Sequence, residues 1–315
     1  MAQAVTGHEV VTPPPGSLIL GGGRRYHEDL IKVLLMAAAA VSVVTTIGIV
    51  ISLLSETIAF FKIVSFSQFL GTEWSPLFKD PQYGVLPLLT GTLLIAFISL
   101  LVAVPLGLGA AVFLSEYASS RTRKIFKPIL EVLAGVPTIV FGYFALTYFT
   151  PKVLNDLLGL DVPVFNALSA GIIMGFMVMP TIASVSEDAL TAVPRALREG
   201  AYGLGANKMQ VAVRVVFPAA LSGIVAAIVL GVSRAIGETM IVLVAAGQQP
   251  NLTADPRNPI ETITTFIAAT AKGDIPQGST AYKTIFAVGM TLFVMTFAMN
   301  ALSIRLVNKY RQVYE

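Results

Sequence analysis

The chain has no cysteine and only two histidines in 315 residues, and each shortage removes a class of chemistry. Without cysteine there is no disulfide framework and no thiolate metal site. His8 and His27 both fall in the N-terminal stretch, and no carboxylates cluster at metal-ligand spacing. Histidine-centred catalysis and metal binding therefore have nothing to work with. No GxxxxGK(S/T) phosphate loop occurs, so any nucleotide hydrolysis this chain serves must sit on another polypeptide. Charge is the third scarcity. Only 12% of residues are Asp, Glu, Lys or Arg, against 55% hydrophobic, which is not the make-up of a soluble domain. The net charge of +3 comes without a basic patch interleaved with aromatics, which argues against a nucleic-acid surface.

What the chain has in quantity is uninterrupted apolar sequence. Residues 33–55, 81–115, 132–151, 162–186 and 284–304 contain no charged residue, and each run has at least 20 residues. At about 1.5 Å per residue, about 20 helical residues cross a hydrocarbon core of roughly 30 Å. A sixth run, about 218–247, is apolar except for Arg234 and Glu238. The expectation is an all-α integral membrane protein with six transmembrane helices, over residues 30–315. With the N-terminus inside, the cytoplasmic segments carry fourteen Lys and Arg and the opposite segments six, which puts both termini in the cytoplasm. Residues 1–29 read as a disordered cytoplasmic tail, because TPPPGS and LGGGRR are breaker clusters without a periodic apolar face. The first apolar run, at 23 residues, is longer than a signal peptide's core and no small-residue cleavage pattern follows it, so it is expected to be retained.

Two external loops are expected, at about 57–85 and 248–283. The first is rich in aromatics (Phe60, Phe61, Phe66, Phe69, Trp74, Phe78), as in an interfacial belt or a short helix along the membrane. The second holds a short helix at 260–271. Spans three and four echo each other in LAGVPTIVFG and GFMVMPTIAS, where Pro137 precedes Thr138 and Pro180 precedes Thr181. Such a proline removes a backbone donor, and the threonine hydroxyl can bond the freed carbonyl. These positions are either ordinary kinks or helices broken around a path for a polar solute. Arg234 and Glu238, four apart, would share one helical face and can pair there. An ionisable residue at depth costs at least about 2.5–3.5 kcal/mol on insertion scales, so it is there for a reason. Either the two form an internal ion pair that pins helices, or Arg234 offers guanidinium donors to a passing anion while Glu238 holds it in place.

Between spans four and five lies SEDALTAVPRALREGAYGLGANKMQVAVRVVFPAALSG, polar at first and amphipathic afterwards, which suits a short helix outside the bilayer with one face open to a partner. Here the sequence resembles the permeases of binding-protein-dependent ABC importers. Their cytoplasmic loop follows the pattern E-A-A, three residues, Gly, nine residues, I-x-L-P. This chain has Glu199, Gly200, Ala201, then Gly205, then Val215, Phe217 and Pro218 at those spacings. Gly for the first Ala, Val for Ile and Phe for Leu are the departures. FLGTEWSP before YGVLPLLTGTLL, then SEYAS, EVLAGVPTIVFGYF, SRAIGETMIVLVAAG and LFVMTFAMN are similar to PstC-type permeases of phosphate importers.

The resemblance implies a type I ABC importer permease bundle, with a cytoplasmic coupling helix within about 189–217 that docks on an ATPase through Glu199, Gly200, Ala201, Gly205 and Pro218. It also implies a heterodimer with a PstA-type permease, two PstB-type ATPase subunits, a PstS-type phosphate-binding protein outside, and a place in the bacterial inner membrane. ATP and Mg would sit on the ATPase, with no cofactor on this chain. The family ties Arg234 and Glu238 to the phosphate path. Energetics agree with an ATP-driven importer, since moving a doubly charged anion against 100 mV costs about 4.6 kcal/mol. Arg234 alone does not choose among phosphate, sulfate, molybdate and phosphonate. A membrane-embedded enzyme or a non-transport membrane scaffold is the remaining alternative.

Overall fold

The computed structural model describes residues 26–310, and every regular element among them is helical apart from an isolated antiparallel bridge between Trp74 and Tyr83. Most of the expected tail lies outside the described residues. Helix α1, Tyr26–Phe61, already takes in residues 26–29, so the boundary drawn at 29 moves back, and the helix also runs past the expected start of the first external loop. The chain divides into two bodies at Ser52, the first formed by the leading part of α1 and the second by everything from Leu53 onward.

Four helices are long and apolar enough to cross a membrane, and six spans result if each of two bent helix pairs is counted as one. After α1 and a single turn, α2 (Phe66–Phe69), come α3 (Leu86–Val112), with Pro87 in its first turn, and a π-helical turn at Phe113–Tyr117. Helices α4 (Ser120–Ala134) and α5 (Thr138–Phe144) follow, and α5 continues π-helically as Ala145–Leu157. Next is α6 (Ala167–Thr191), begun by the Asn166 side chain, whose Oδ1 accepts from the Ser169 amide at 2.7 Å. The segment between α6 and α10 consists of α7 (Arg195–Gly203), α8 (Lys208–Val211), a π-turn at Ala212–Val216, and α9 (Phe217–Ala219). Then come α10 (Leu221–Ile236), α11 (Met240–Ala245), α12 (Ile263–Ala271) and α13 (Thr280–Tyr310).

The third span differs from its expected bounds. Residues 132–134 end α4, and the helix that runs on through 157 starts only at Thr138, after a bend of 85°. Pro137 explains the break: it has no amide donor and its ring keeps Val136 out of the helical region. The echo in span four does not repeat it. Pro180 is buried inside α6, which runs unbroken to Thr191.

Helices α3 and α6 form the spine. They approach through small residues, as membrane helices do in place of a hydrophobic driving force. A Cβ on Gly171 would stand 2.7 Å from Ile98 Cγ2, and one on Gly175 2.7 Å from Val102 Cβ. Ile95, Met174, Met177 and Ile182 are buried along this seam. On the other side Gly142 lets α5 meet α11, since a Cβ there would lie 3.0 Å from Ile241 Cα. A second core gathers the aromatics of the 57–85 segment. Phe60, Phe69 and Trp74 are buried, with Phe60 in edge contact with Phe61, Phe69 and Tyr83. An interfacial belt is therefore the wrong picture for most of that set; Phe66 and Phe78 alone of the six are largely exposed.

Candidate functional site

Arg234 lies in the last turn of α10, half-buried, where three helices converge. Its guanidinium donates to Thr181 Oγ1 of α6 at 3.0 Å and to the carbonyl oxygen of Ala134, the last residue of α4, at 3.5 Å. The break after α4 leaves that carbonyl free to accept. The expected pairing with Glu238 does not form. Helix α10 stops at Ile236 with Gly237 as its cap, so the four-residue spacing never becomes a shared face. Glu238 turns the other way and starts α11: its Oε1 accepts from the amides of Met240 at 2.9 Å and Ile241 at 3.2 Å. A carboxylate there satisfies orphan donors and meets the positive end of the helix. The Glu238 carbonyl in turn accepts from Thr264 Oγ1 at 2.8 Å, which fixes the break against α12.

The electrostatic result is specific. Both acceptors that hold Arg234 among the described residues are neutral, a hydroxyl and a carbonyl, and no carboxylate neutralises it. A guanidinium has five N–H donors in a planar fork, so donors remain for a tetrahedral oxyanion. Thr181, expected to bond a freed carbonyl, instead orients the arginine. Pro137 and Thr138 sit at the α4–α5 break, exposed and half-buried, and Pro180 packs one residue before Thr181.

The segment expected to couple to an ATPase is built as a compact exposed step. Glu199, Gly200, Gly205 and Pro218 are exposed and Ala201 is half-buried. Gly205 has φ +84, which only glycine adopts without strain, and its amide closes the end of α7 on the Tyr202 carbonyl at 2.9 Å. Leu204 beside it is 91% exposed, an apolar side chain with no cover from this chain.

Several charged residues outside these motifs are also placed by the fold. Glu187 of α6, 1% exposed, pairs with Arg123 and Lys127 of α4. Glu116, at the end of α3, takes the Arg198 guanidinium of α7 at 3.1 Å. On the opposite side, Glu261 and Trp74 line a cavity of about 300 Å³ with Phe78, Gln248 and Thr270. Burial pushes the Glu261 carboxyl up to about 7. The available signal was position: Glu116 and Glu187 are the first charges after the two longest apolar runs.

The model of the binding-protein-dependent transport system inner membrane component family matches residues 103–311. The chain belongs to that family. Among its relatives this permease is 36% identical over 242 residues to the probable ABC transporter permease protein YqgH of Bacillus subtilis, covering 76% of this chain and 77% of that one. It is 34% identical over 253 residues to the phosphate transport system permease protein PstC of Xylella fastidiosa, covering 74% and 76%. With PstC 1 of Mycobacterium tuberculosis the identity is 35% over 268 residues, covering 74% and 78%. Among solved structures, a bacterial ABC transporter that imports the acidic polysaccharide alginate superposes with a TM-score of 0.63 at 18% identity, over 91% of this chain and all of that one. The methionine transporter MetNI, inward facing, gives 0.53 at 16%, over 72% and 94%. At such identities these two establish the fold of the permease, an ABC importer bundle, and nothing about its cargo. Arg234, the coupling segment and the α4–α6 ion pairs all lie within the matched region.

Proposed function

We propose that the chain is the PstC-type permease subunit of an ATP-driven importer of inorganic phosphate. In this reading it forms half of the path beside a PstA-type permease, docks α7 on one of two PstB-type ATPase subunits, and receives phosphate from a PstS-type binding protein outside. It lies in the bacterial inner membrane with both termini in the cytoplasm, and ATP and Mg belong to the ATPase. Three features support the cargo and the partners: relatives named as phosphate permeases, the coupling-loop spacing, and a guanidinium that pairs with no carboxylate among the described residues.

That last observation carries the mechanism. Arg234 is held by neutral acceptors strongly enough to be placed and weakly enough to be shared. An arriving oxyanion takes the unused guanidinium donors by charge-assisted hydrogen bonds, which are about twice as strong as neutral ones. Release needs those bonds to be replaceable, and the Thr181 hydroxyl and Ala134 carbonyl supply the alternative partners. Gly237 ends α10 where Arg234 stands, and Glu238 contributes by starting α11 beyond it. The decisive experiment reconstitutes the complex in proteoliposomes with its binding protein and measures labelled phosphate uptake against competing sulfate, molybdate and phosphonate. Phosphate uptake dependent on ATP and insensitive to the other anions supports the reading; uptake of another oxyanion in its place overturns the cargo but keeps the importer.

A further inference from the structure

The polar groups at the cytoplasmic end of α6 serve no part of the anion site directly, yet they connect it to the coupling helix. Glu187 has both carboxylate oxygens engaged while almost wholly buried. Lys127 Nζ donates to Oε2 at 2.9 Å and to the exposed Asp188 Oδ1 at 2.6 Å; Arg123 binds Oε1 and donates to the Thr191 hydroxyl oxygen at 2.9 Å, and that hydroxyl donates to Oε1 at 3.1 Å. Arg123 and Lys127 are four apart on α4, as Glu187 and Thr191 are on α6, so two helical faces meet squarely. A buried carboxylate facing two cations is tolerable only while all three stay together.

Three attachments follow one another along α6. Thr181 holds Arg234. Glu187, about 9 Å further on at helical rise, holds α4. The Leu190 carbonyl accepts from Arg198 of α7 at 2.7 Å, and the same guanidinium reaches Glu116 at the end of α3. Helix α4, gripped by Glu187, ends at Ala134, whose carbonyl meets Arg234. The contacts therefore form a closed circuit from α7 through α6 and α4 to the guanidinium.

Building on the importer reading above, we infer that Glu187 is a positioning residue that clamps α4 to α6 and so keeps the Ala134 carbonyl on Arg234 until α7 moves. When the ATPase shifts α7, Arg198 carries the end of α6 with it. The grip of Glu187 on α4 changes, the carbonyl leaves the guanidinium, and the cytoplasmic exit beside Arg234 opens. A carboxylate that merely stabilised the bundle would change the amount of intact complex but not the relation between hydrolysis and transport.

The test compares the intact reconstituted complex carrying Glu187→Gln, Glu187→Asp or Lys127→Met with the unaltered one. In Glu187→Gln, ATP hydrolysis without substrate should rise and phosphate moved per ATP should fall, each by about five- to tenfold, while Glu187→Asp restores most of the ratio. Lys127→Met, which removes one of two cations from Glu187 and the ion pair to Asp188 with it, should shift the ratio in the same direction and serves if Glu187→Gln fails to assemble. A second readout does not depend on the cargo. The chain has no cysteine, so Val136→Cys, half-buried just past Ala134, gives a single thiol whose modification by N-ethylmaleimide is followed on this chain by mass spectrometry. Its rate should rise about fivefold when Glu187→Gln is added. Unchanged hydrolysis-to-transport ratio and unchanged thiol reactivity in assembled variants would overturn the inference. Absence of phosphate uptake in the unaltered complex would overturn the importer reading instead, and leave the thiol rates to decide the clamp.

Discussion

Thr181→Val is the sharpest perturbation of the proposed anion site, because it keeps the β-branched shape and removes one oxygen. That oxygen accepts from Arg234 at 3.0 Å, and the second acceptor, the Ala134 carbonyl, is at a longer 3.5 Å. A hydrogen bond to a charged group contributes about 1.5–3 kcal/mol, and Arg234 is only half-buried, so water recovers part of it. The lower end applies, about 1.5 kcal/mol, which is about tenfold in an equilibrium constant. A guanidinium that wanders over several orientations should bind the passing anion less often in the productive one. Initial rates of labelled phosphate uptake at matched membrane levels should fall by about tenfold in Thr181→Val. Thr181→Ser, which keeps the hydroxyl, should stay within about twofold of the unaltered protein. If valine transports as well as threonine, the hydroxyl does not orient the arginine and the geometric reading of the site fails.

Other perturbations probe the frame. Gly175→Val would put a Cβ 2.7 Å from Val102 Cβ and 2.8 Å from the Ser99 carbonyl, so α3 and α6 must separate; overpacking of this kind costs about 1–3 kcal/mol, read as a lower melting temperature of the solubilised complex. Gly205→Glu has open space around it but a φ of +84, so the fold should survive while ATPase pull-down and uptake are lost; full pull-down with normal uptake would remove the docking role. Glu261, whose carboxyl is raised from 4.5 to about 7 by burial, is ionised at a cost that is absent below about pH 4 and complete above about pH 8. Glu261→Gln should therefore stabilise the complex at pH 8, by at most about 3 kcal/mol, and change little at pH 4; a gain confined to low pH would contradict the burial argument.

Most of the architecture was legible because it rests on composition and spacing. Charge-free runs mark the candidate spans, and the Glu199–Pro218 spacing falls on an exposed helical step between α6 and α10. The errors arose where a helix was assumed to continue. A four-residue spacing suggests that Arg234 and Glu238 share a helical face, but Gly237 ends the helix between them and sends Glu238 to cap α11. Pro137 and Pro180 share a local motif, yet only the first, two residues after the Gly135 that caps α4, stands at a helix break. Partners of Arg234 came from Thr181 and Ala134, 53 and 100 residues away, and no local pattern announces such contacts. The same holds for Glu187, whose place at the end of an apolar run looks like an ordinary membrane boundary until α4 folds back on it.

The central claim is that Arg234 meets the transported anion and is not a helix pin. Uptake of labelled phosphate by reconstituted complexes with Arg234→Gln, alone and combined with Glu238→Gln, tests it most directly. Because Glu238 caps α11 and does not pair with Arg234, glutamine at 238 retains an acceptor for the cap, and the second change has no lost charge balance to restore. Arg234→Gln should abolish uptake, the double variant should not recover it, and phosphate binding to the external protein should be unaltered in both. Normal uptake in Arg234→Gln, or full recovery in the double variant, would contradict it.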